Sequence, residues 1–230
     1  MGVRENVLQV MSRIEDAAER ALRDAADVRL VAVTKTVGPG PIAEAIGAGV
    51  TAIGENRVQE AERKFAAIDL PVEKHLVGHL QTNKVREALA LFDLIESVDS
   101  LKLAREISTR AEAAGAPAKV LVEVNTSGED SKNGFHPGEA AGAVEQMANL
   151  KGLRIVGLMT VGAFLPDPDD VRPCFRRLRE IRDDIEERVI PGVRMAHLSM
   201  GMTNDFEVAI EEGATLIRVG RAIFGERPAD

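Results

Sequence analysis

Cysteine is almost missing from this chain. Cys174 is the only one in 230 residues, so no disulfide can form within it and a reducing compartment fits. In Pro173-Cys174-Phe175-Arg176 it reads as a lone buried thiol. Excess positive charge is missing too: Lys and Arg number 29 against 37 Asp and Glu, a formal net charge of −8. That balance opposes nucleic acid or an anionic membrane as the main partner, because both require a positive field, and any anion must be bound locally. No apolar run approaches the roughly 20 residues of a spanning helix, and no cleavable hydrophobic leader precedes the first helix. The expectation is a soluble cytoplasmic protein. His75, His79, His136 and His197 show no metal-binding spacing, and neither HExxH nor CxxC occurs, so no metal is assigned. Val37-Gly38-Pro39-Gly40-Pro41 lacks the Lys-Ser/Thr of a P-loop and does not match GxGxxG, which weakens nucleotide readings.

What is present is alternation. With 45% hydrophobic and 29% charged content, the chain has enough apolar material for one core and is short for two, so residues 1–230 are expected to form one domain. From Asn6 to Leu22, Val7, Met11, Ile14, Ala18 and Leu22 fall on one helical stripe. Eight short runs rich in Val, Ile and Leu follow, at 30–34, 50–53, 75–78, 93–97, 119–124, 153–159, 194–199 and 214–219. Helical periodicity separates them, as from Val171 to Val189, where Phe175, Leu178, Ile181 and Ile185 share a face and Arg179 is expected to pair with Asp183 one turn on. Strands alternating with helices imply parallel pairing through right-handed crossovers. Eight such units predict an α/β fold, a single (β/α)8 TIM barrel, with the extra N-terminal helix plugging or flanking the barrel bottom. The Pro/Asp-rich segment from Leu165 to Asp170 reads as a surface loop after the sixth strand.

In such barrels the active face lies at the carboxyl ends of the strands, with phosphate often held by the loops after strands seven and eight. Those loops here are Ser199-Met200-Gly201-Met202-Thr203-Asn204-Asp205 and Gly220-Arg221-Ala222-Ile223-Phe224-Gly225. Either glycine alone is more often an ordinary turn residue, but two such loops at the expected positions favour an anion cradle. Lys35 follows the first apolar run. Most lysines are solvated surface charges, yet at a barrel mouth desolvation lowers an amine's pKa, and a neutral amine attacks a carbonyl. Lys84 and Lys132 are less well placed and read as solvent-facing or as tuning entry to the mouth. Arg218, two residues before Gly220, shares its strand face. Two readings stand open for it: an ion pair with Glu55 or Glu123, or a donor beside a pyridine nitrogen, which it would keep unprotonated. Asn56 reads either as a hydrogen-bond partner for a ring oxygen or as a helix cap.

At these residues the sequence resembles the pyridoxal phosphate homeostasis protein family, whose barrel is similar to the N-terminal domain of alanine racemase. The matching stretches are Ala32-Val33-Thr34-Lys35, Gly54-Glu55-Asn56, the run from His75 to Lys84, Ser131-Lys132-Asn133-Gly134-Phe135, Gly157-Leu158-Met159-Thr160, Leu198-Ser199-Met200-Gly201-Met202 and the run from Ile217 to Gly225. They span almost the whole chain. The resemblance implies pyridoxal 5′-phosphate as cofactor, held as a Schiff base on Lys35. Its phosphate would lie near Ser199, Gly201, Met202, Gly220 and Arg221, its pyridine nitrogen near Arg218, and its ring near Asn56. Members of the family look like carriers or regulators in vitamin B6 and amino-acid balance, without a firm catalytic reaction, and apo-enzymes that use the cofactor are the implied partners.

Against that reading stand a minimal pyridoxal-phosphate enzyme of the racemase type and a cofactor-free Schiff-base aldolase. A two-base racemase needs an acid or base opposite the lysine, which in alanine racemase is a tyrosine from a partner subunit, and this sequence contains no tyrosine. It also stops at Asp230, directly after the eighth unit, so neither a second domain nor the familiar dimer is expected and a monomer is favoured. No catalytic residue is assigned.

Overall fold

The computed structural model describes residues 2–226. Eight parallel strands close into a barrel in chain order. They are β1 (Arg29–Val33), β2 (Ala52–Glu55), β3 (Glu73–Leu76), β4 (Leu94–Val98), β5 (Ala118–Glu123), β6 (Leu153–Met159), β7 (His197–Ser199) and β8 (Leu216–Val219). Closure is completed by β1 against β8, with Val31 opposite Arg218. The expected (β/α)8 architecture is therefore the observed one. Among the described residues no helix is long and apolar enough to cross a membrane.

Several strands are displaced by two or three residues from the apolar runs. The second spans 52–55 rather than 50–53, and the third 73–76 rather than 75–78. The cause is the barrel interior. Alternation turns Val31, Ala52, Leu94, Leu121, Met159 and Leu216 inward as one apolar cluster. The same parity carries Arg29, Glu73, His75, Glu96, Lys119, His197 and Arg218 toward the axis. The inward Glu73 carries no apolar signal, so the hydrophobic run misplaces the start of β3, while β2 runs past its apolar run through Gly54 to the outward Glu55.

The first helix, α1 (Val3–Arg20), buries Val7, Val10, Ile14, Ala17 and Ala18. Leu22, read as part of its stripe, lies beyond the helix end, in a left-handed turn and 96% exposed. Nor does α1 sit at the barrel bottom. It packs on the side, between α2 (Pro39–Gly47) on one flank and α8 (Phe206–Glu211) and α9 (Arg221–Phe224) on the other. Arg13 grips Glu207 at 3.0 Å, Asn6 donates to the Ile223 carbonyl at 2.8 Å, and the Arg4 N–H meets Glu44 at 3.1 Å. The reason is chain economy: α9, the segment after β8, is a single turn and leaves the β8–β1 flank bare. The apolar stripe of α1 covers it, as an eighth barrel helix otherwise would.

The remaining outer helices are α3 (Val58–Phe65), α4 (Val85–Leu91), α5 (Leu101–Ala114), α6 (Ala140–Met147) and α7 (Arg172–Glu187). In α7 the four predicted residues Phe175, Leu178, Ile181 and Ile185 are buried. Arg179 does not pair with Asp183; it reaches across to Glu212 at 3.2 Å, where Arg172 and Arg176 also converge. Glu212 is nearly buried and attracts cations more strongly than exposed Asp183 does. Cys174 is half-buried against the core rather than fully enclosed.

Candidate functional site

Lys35 stands two residues past Val33 at the carboxyl end of β1, in a turn that is held from several sides. Thr34 faces outward, and its hydroxyl donates to Glu55 Oε1 at 2.6 Å. From α3, Lys64 Nζ donates to the Thr34 carbonyl at 2.5 Å and to Glu55 at 2.8 Å, and pairs with Glu60 at 2.6 Å. Glu60 in turn accepts the Thr36 N–H at 2.6 Å. Thr36 has φ +65°, a left-handed conformation that costs a β-branched residue on the order of 1–3 kcal/mol. Flanked by this clamp, the backbone at Lys35 has little freedom. Burial pushes the Glu55 carboxyl above its usual range, while Lys64 and Thr34 oppose the rise.

The Lys35 side chain lines a cavity of about 660 Å³ at the carboxyl ends of the strands. Of the residues expected at the site, Lys35, Asn56, Met202, Arg218, Gly220 and Arg221 line it together. Ser199 and Gly201 do not. Ser199 is fully buried beneath the cavity floor, its hydroxyl turned into the barrel. Gly201 is required by packing: at φ +91°, an added Cβ would lie 2.6 Å from Ala209 Cβ and 2.9 Å from Phe206 Cα, so only glycine lets this loop rest on α8. The Met202 N–H is taken by Asp205 Oδ1 at 2.5 Å. Asn56 caps no helix, since Arg57 is the N-cap of α3. Lys84 closes the short turn before α4 and sits 3.6 Å from Glu87. Lys132 is less solvent-facing than expected: its amine donates to the Gly162 carbonyl at 2.8 Å and pairs with Glu129 at 2.7 Å.

Beneath the cavity runs a buried polar chain. Arg218, 5% exposed, donates from Nη1 to Ser199 Oγ at 2.5 Å and from Nη2 to the Thr160 carbonyl at 2.7 Å. Ser199 Oγ donates to Glu96 Oε2 in a short bond, and Glu96 Oε1 accepts from His75 Nδ1 at 2.6 Å. The far ring nitrogen of His75 has no hydrogen bond and lies 3.6 Å from Glu73. Burial alone would depress the His75 pKa, but the carboxylates of Glu73 and Glu96 outweigh it and raise it to about 9. The counter-charge of Arg218 is therefore Glu96, at 4.0 Å, and neither Glu55 nor Glu123 forms a direct pair with it. Strand parity explains the first correction, since Glu55 points away from the axis toward α3.

Glu123, at the end of β5, is buried without an ion-pair partner among the described residues. Burial, reinforced by the Asp99 charge, raises its pKa to about 7, against the pull of Arg218 and His79. A carboxyl whose folded pKa exceeds its unfolded value contributes stability below the unfolded value, and that stability is lost as pH rises through the folded one. Glu123→Gln should therefore be more stable than wild type by roughly 2–3 kcal/mol at about pH 8 and near neutral in effect at about pH 4. Urea unfolding at the two pH values measures it.

The sequence reading missed the wall supplied by Val77 and by the loop after β6, where Val161, Ala163, Phe164 and Leu165 border the cavity. Phe164 is 81% exposed at its edge. The available signal was position: this loop follows a strand end on the same face as the lysine. The donor set suits an aromatic aldehyde carrying a phosphate. It offers one amine, one buried guanidinium, a second guanidinium at the rim, and the N–H groups that open α9, which have no intrahelical acceptor.

Fold and site together define a barrel of the alanine racemase N-terminal class. The sequence profile described as "Alanine racemase, N-terminal domain" matches residues 9–228. The chain belongs to the pyridoxal phosphate homeostasis protein family. A member so named from Aquifex aeolicus is 44% identical over 228 residues, covering 99% of both chains. Among solved structures, an unknown protein from Bifidobacterium adolescentis superimposes with a TM-score of 0.90 at 44% identity, over 96% of this chain and 94% of that one. PipY from Synechococcus elongatus, solved with PLP bound, superimposes with a TM-score of 0.80 at 35% identity, over 93% of this chain and all of that one.

Proposed function

We propose that this protein binds pyridoxal 5′-phosphate on Lys35 and acts in intracellular vitamin B6 and amino-acid homeostasis as a carrier or regulator, delivering the cofactor to apo-enzymes and other amines. The observation that carries the reading is the convergence of Lys35, Arg218, Gly220 and Arg221 on one cavity of small-ligand size. It is supported by the PLP-bound state of PipY and by the name its relatives share.

Pyridoxal 5′-phosphate supplies an aldehyde and a conjugated ring that withdraws electron density when its nitrogen is protonated. Lys35 would hold the cofactor through its ε-amine, the nucleophile that lines the cavity. Arg218 would face the ring nitrogen. As a pure donor held by Ser199 and Thr160, it offers no acceptor for a proton there and so weakens the electron sink. Asn56 would border the ring, and Arg221 with the first N–H groups of α9 would meet the phosphate. With the electron sink weakened, and with no tyrosine in the sequence to serve as an opposing acid or base, carriage is favoured over racemisation.

Incubation with pyridoxal 5′-phosphate should give visible absorbance. Borohydride followed by peptide mass mapping should place the cofactor mass on the peptide containing Lys35. Sustained turnover of L- or D-amino acids, in place of single-round cofactor loss, would defeat the carrier reading.

A further inference from the structure

Beside the candidate cavity lies a second concavity of nearly equal size, about 630 Å³, between α3 and the loop joining β3 to α4. One wall carries Arg57, Gln59, Glu60 and Arg63; the other carries His79, Gln81 and Lys84. Charged groups on a surface are mostly solvated and mean little. Three features set this cleft apart.

The first is donor capacity that the protein itself does not use. Among the described residues the side chains of Asn56, Arg57, Gln59 and Gln81 make no hydrogen bond or ion pair within the protein. Arg63 bonds only the Gln59 carbonyl of its own helix, and Lys84 has only Glu87 at 3.6 Å. The second is the sign of the field. In a chain of net charge −8, the residues lining this cleft include two arginines and a lysine against one carboxylate, Glu60, which is already engaged by Lys64 and the Thr36 N–H. Glu87 and Asp99 stand behind the lining, on Lys84 and His79, and leave the two arginines as its unpaired charges among the described residues. Such a concave cationic wall concentrates anions locally. The third is the partition. Asn56 lines both cavities, and Gly78 packs so closely on it that an added Cβ would lie 2.5 Å from the Asn56 carbonyl oxygen. Asn56 is therefore common to the two spaces.

We propose that this cleft receives a second small ligand bearing a carboxylate or phosphate group, seated beside the cavity of Lys35. Guanidinium forks and amide N–H groups match the oxygens of either anion, with Lys84 as a point charge across the cleft. The volume suits a small molecule, and buried Leu80 furnishes an apolar floor. The site stands whether or not Lys35 carries the cofactor. It also gives a role to the stretch from Gly78 to Lys84, which the cofactor cavity leaves unused.

The test uses the full chain, loaded with pyridoxal 5′-phosphate and reduced with borohydride, so that added anions cannot enter the cavity of Lys35. Amide NMR spectra are followed during titration with inorganic phosphate and, separately, with succinate. Saturable shifts are expected at the Arg57, Gly78, Gln81 and Lys84 amides with at least one anion. The pair Arg57→Gln and Lys84→Gln should weaken that binding about tenfold or more. Saturation by phosphate alone identifies a phosphate-bearing ligand, and by succinate alone a carboxylate. Absence of saturable shifts at these amides with both anions, or equal affinity in the double variant, overturns the proposal. The cofactor mass on Lys35 is read in the same samples. If it is missing, the cofactor reading fails by itself, and the comparison of wild type with the double variant is made on unloaded protein.

Discussion

Lys35→Ala should abolish the borohydride-fixed cofactor mass and the visible absorbance of the lysine-bound cofactor, while the fold is preserved. The substitution removes one side chain at a cavity wall and leaves untouched the clamp of Lys64, Glu55 and Glu60 on the neighbouring backbone. Phosphate and ring contacts remain, so affinity should fall by about two to three orders of magnitude, or ~3–4 kcal/mol, rather than vanish. Equilibrium dialysis with pyridoxal 5′-phosphate measures this. Equal affinity in the variant would mean that the C=N bond contributes nothing to retention. A surviving reducible mass on Lys84 or Lys132 would move the anchor elsewhere. Lys35→Arg is the useful companion, since it keeps a cation of similar reach that cannot condense with an aldehyde at neutral pH. It should bind like the alanine variant, or modestly better through charge.

The position of Lys35 was legible because a lysine behind an apolar strand run is a one-dimensional signal. So was the alternation that closes the barrel, because the outward faces of the strands and the inward faces of the helices are mostly apolar. The third dimension was hidden in two places. Ser199 belongs to the matched loop, yet strand parity turns its hydroxyl under the cavity, where it links Arg218 to Glu96. No spacing rule shows that, because Glu96 lies 103 residues away in sequence. Gly201 follows the same pattern: read as an anion-approach glycine, it is explained by the 2.6 Å that a Cβ would leave to Ala209. The charged residues at the barrel's lower end, Arg29 and Glu73, hid the strand starts for a related reason. Hydrophobic runs record faces packed on helices and are silent about a polar axis.

That polar axis supports the second large expected effect. Glu96→Ala should destabilise the protein by about 3–5 kcal/mol, because it removes the carboxylate that two buried cations share, leaving Arg218 without its ion-pair partner and His75 with Glu73 alone. Glu96 is fully buried; burial would raise its pKa, yet the bond from His75, its charge and that of Arg218 hold it below the usual range. Glu96→Gln keeps the shape and a hydrogen-bonding oxygen, so it should recover part of the loss but not the charge balance. A pH signature separates this from simple cavity formation. His75 has its pKa raised from 6.5 to about 9, so its contribution is complete below about 6.5 and is lost as pH rises through about 9. That contribution is roughly 3 kcal/mol, counted once, because the same contacts lower Glu73 to about 2. Glu73 behaves oppositely: its share is present above about 4.5 and lost as pH falls through about 2. Wild-type protein should therefore lose stability between about pH 7 and about pH 10, and in Glu96→Ala that slope should flatten, since one of the two carboxylates holding the proton on His75 is gone. Urea unfolding across this range checks it. Parallel slopes in the two proteins would show that Glu96 does not hold the proton on His75, and the route from the barrel floor to the Arg218 guanidinium would then be broken at its centre.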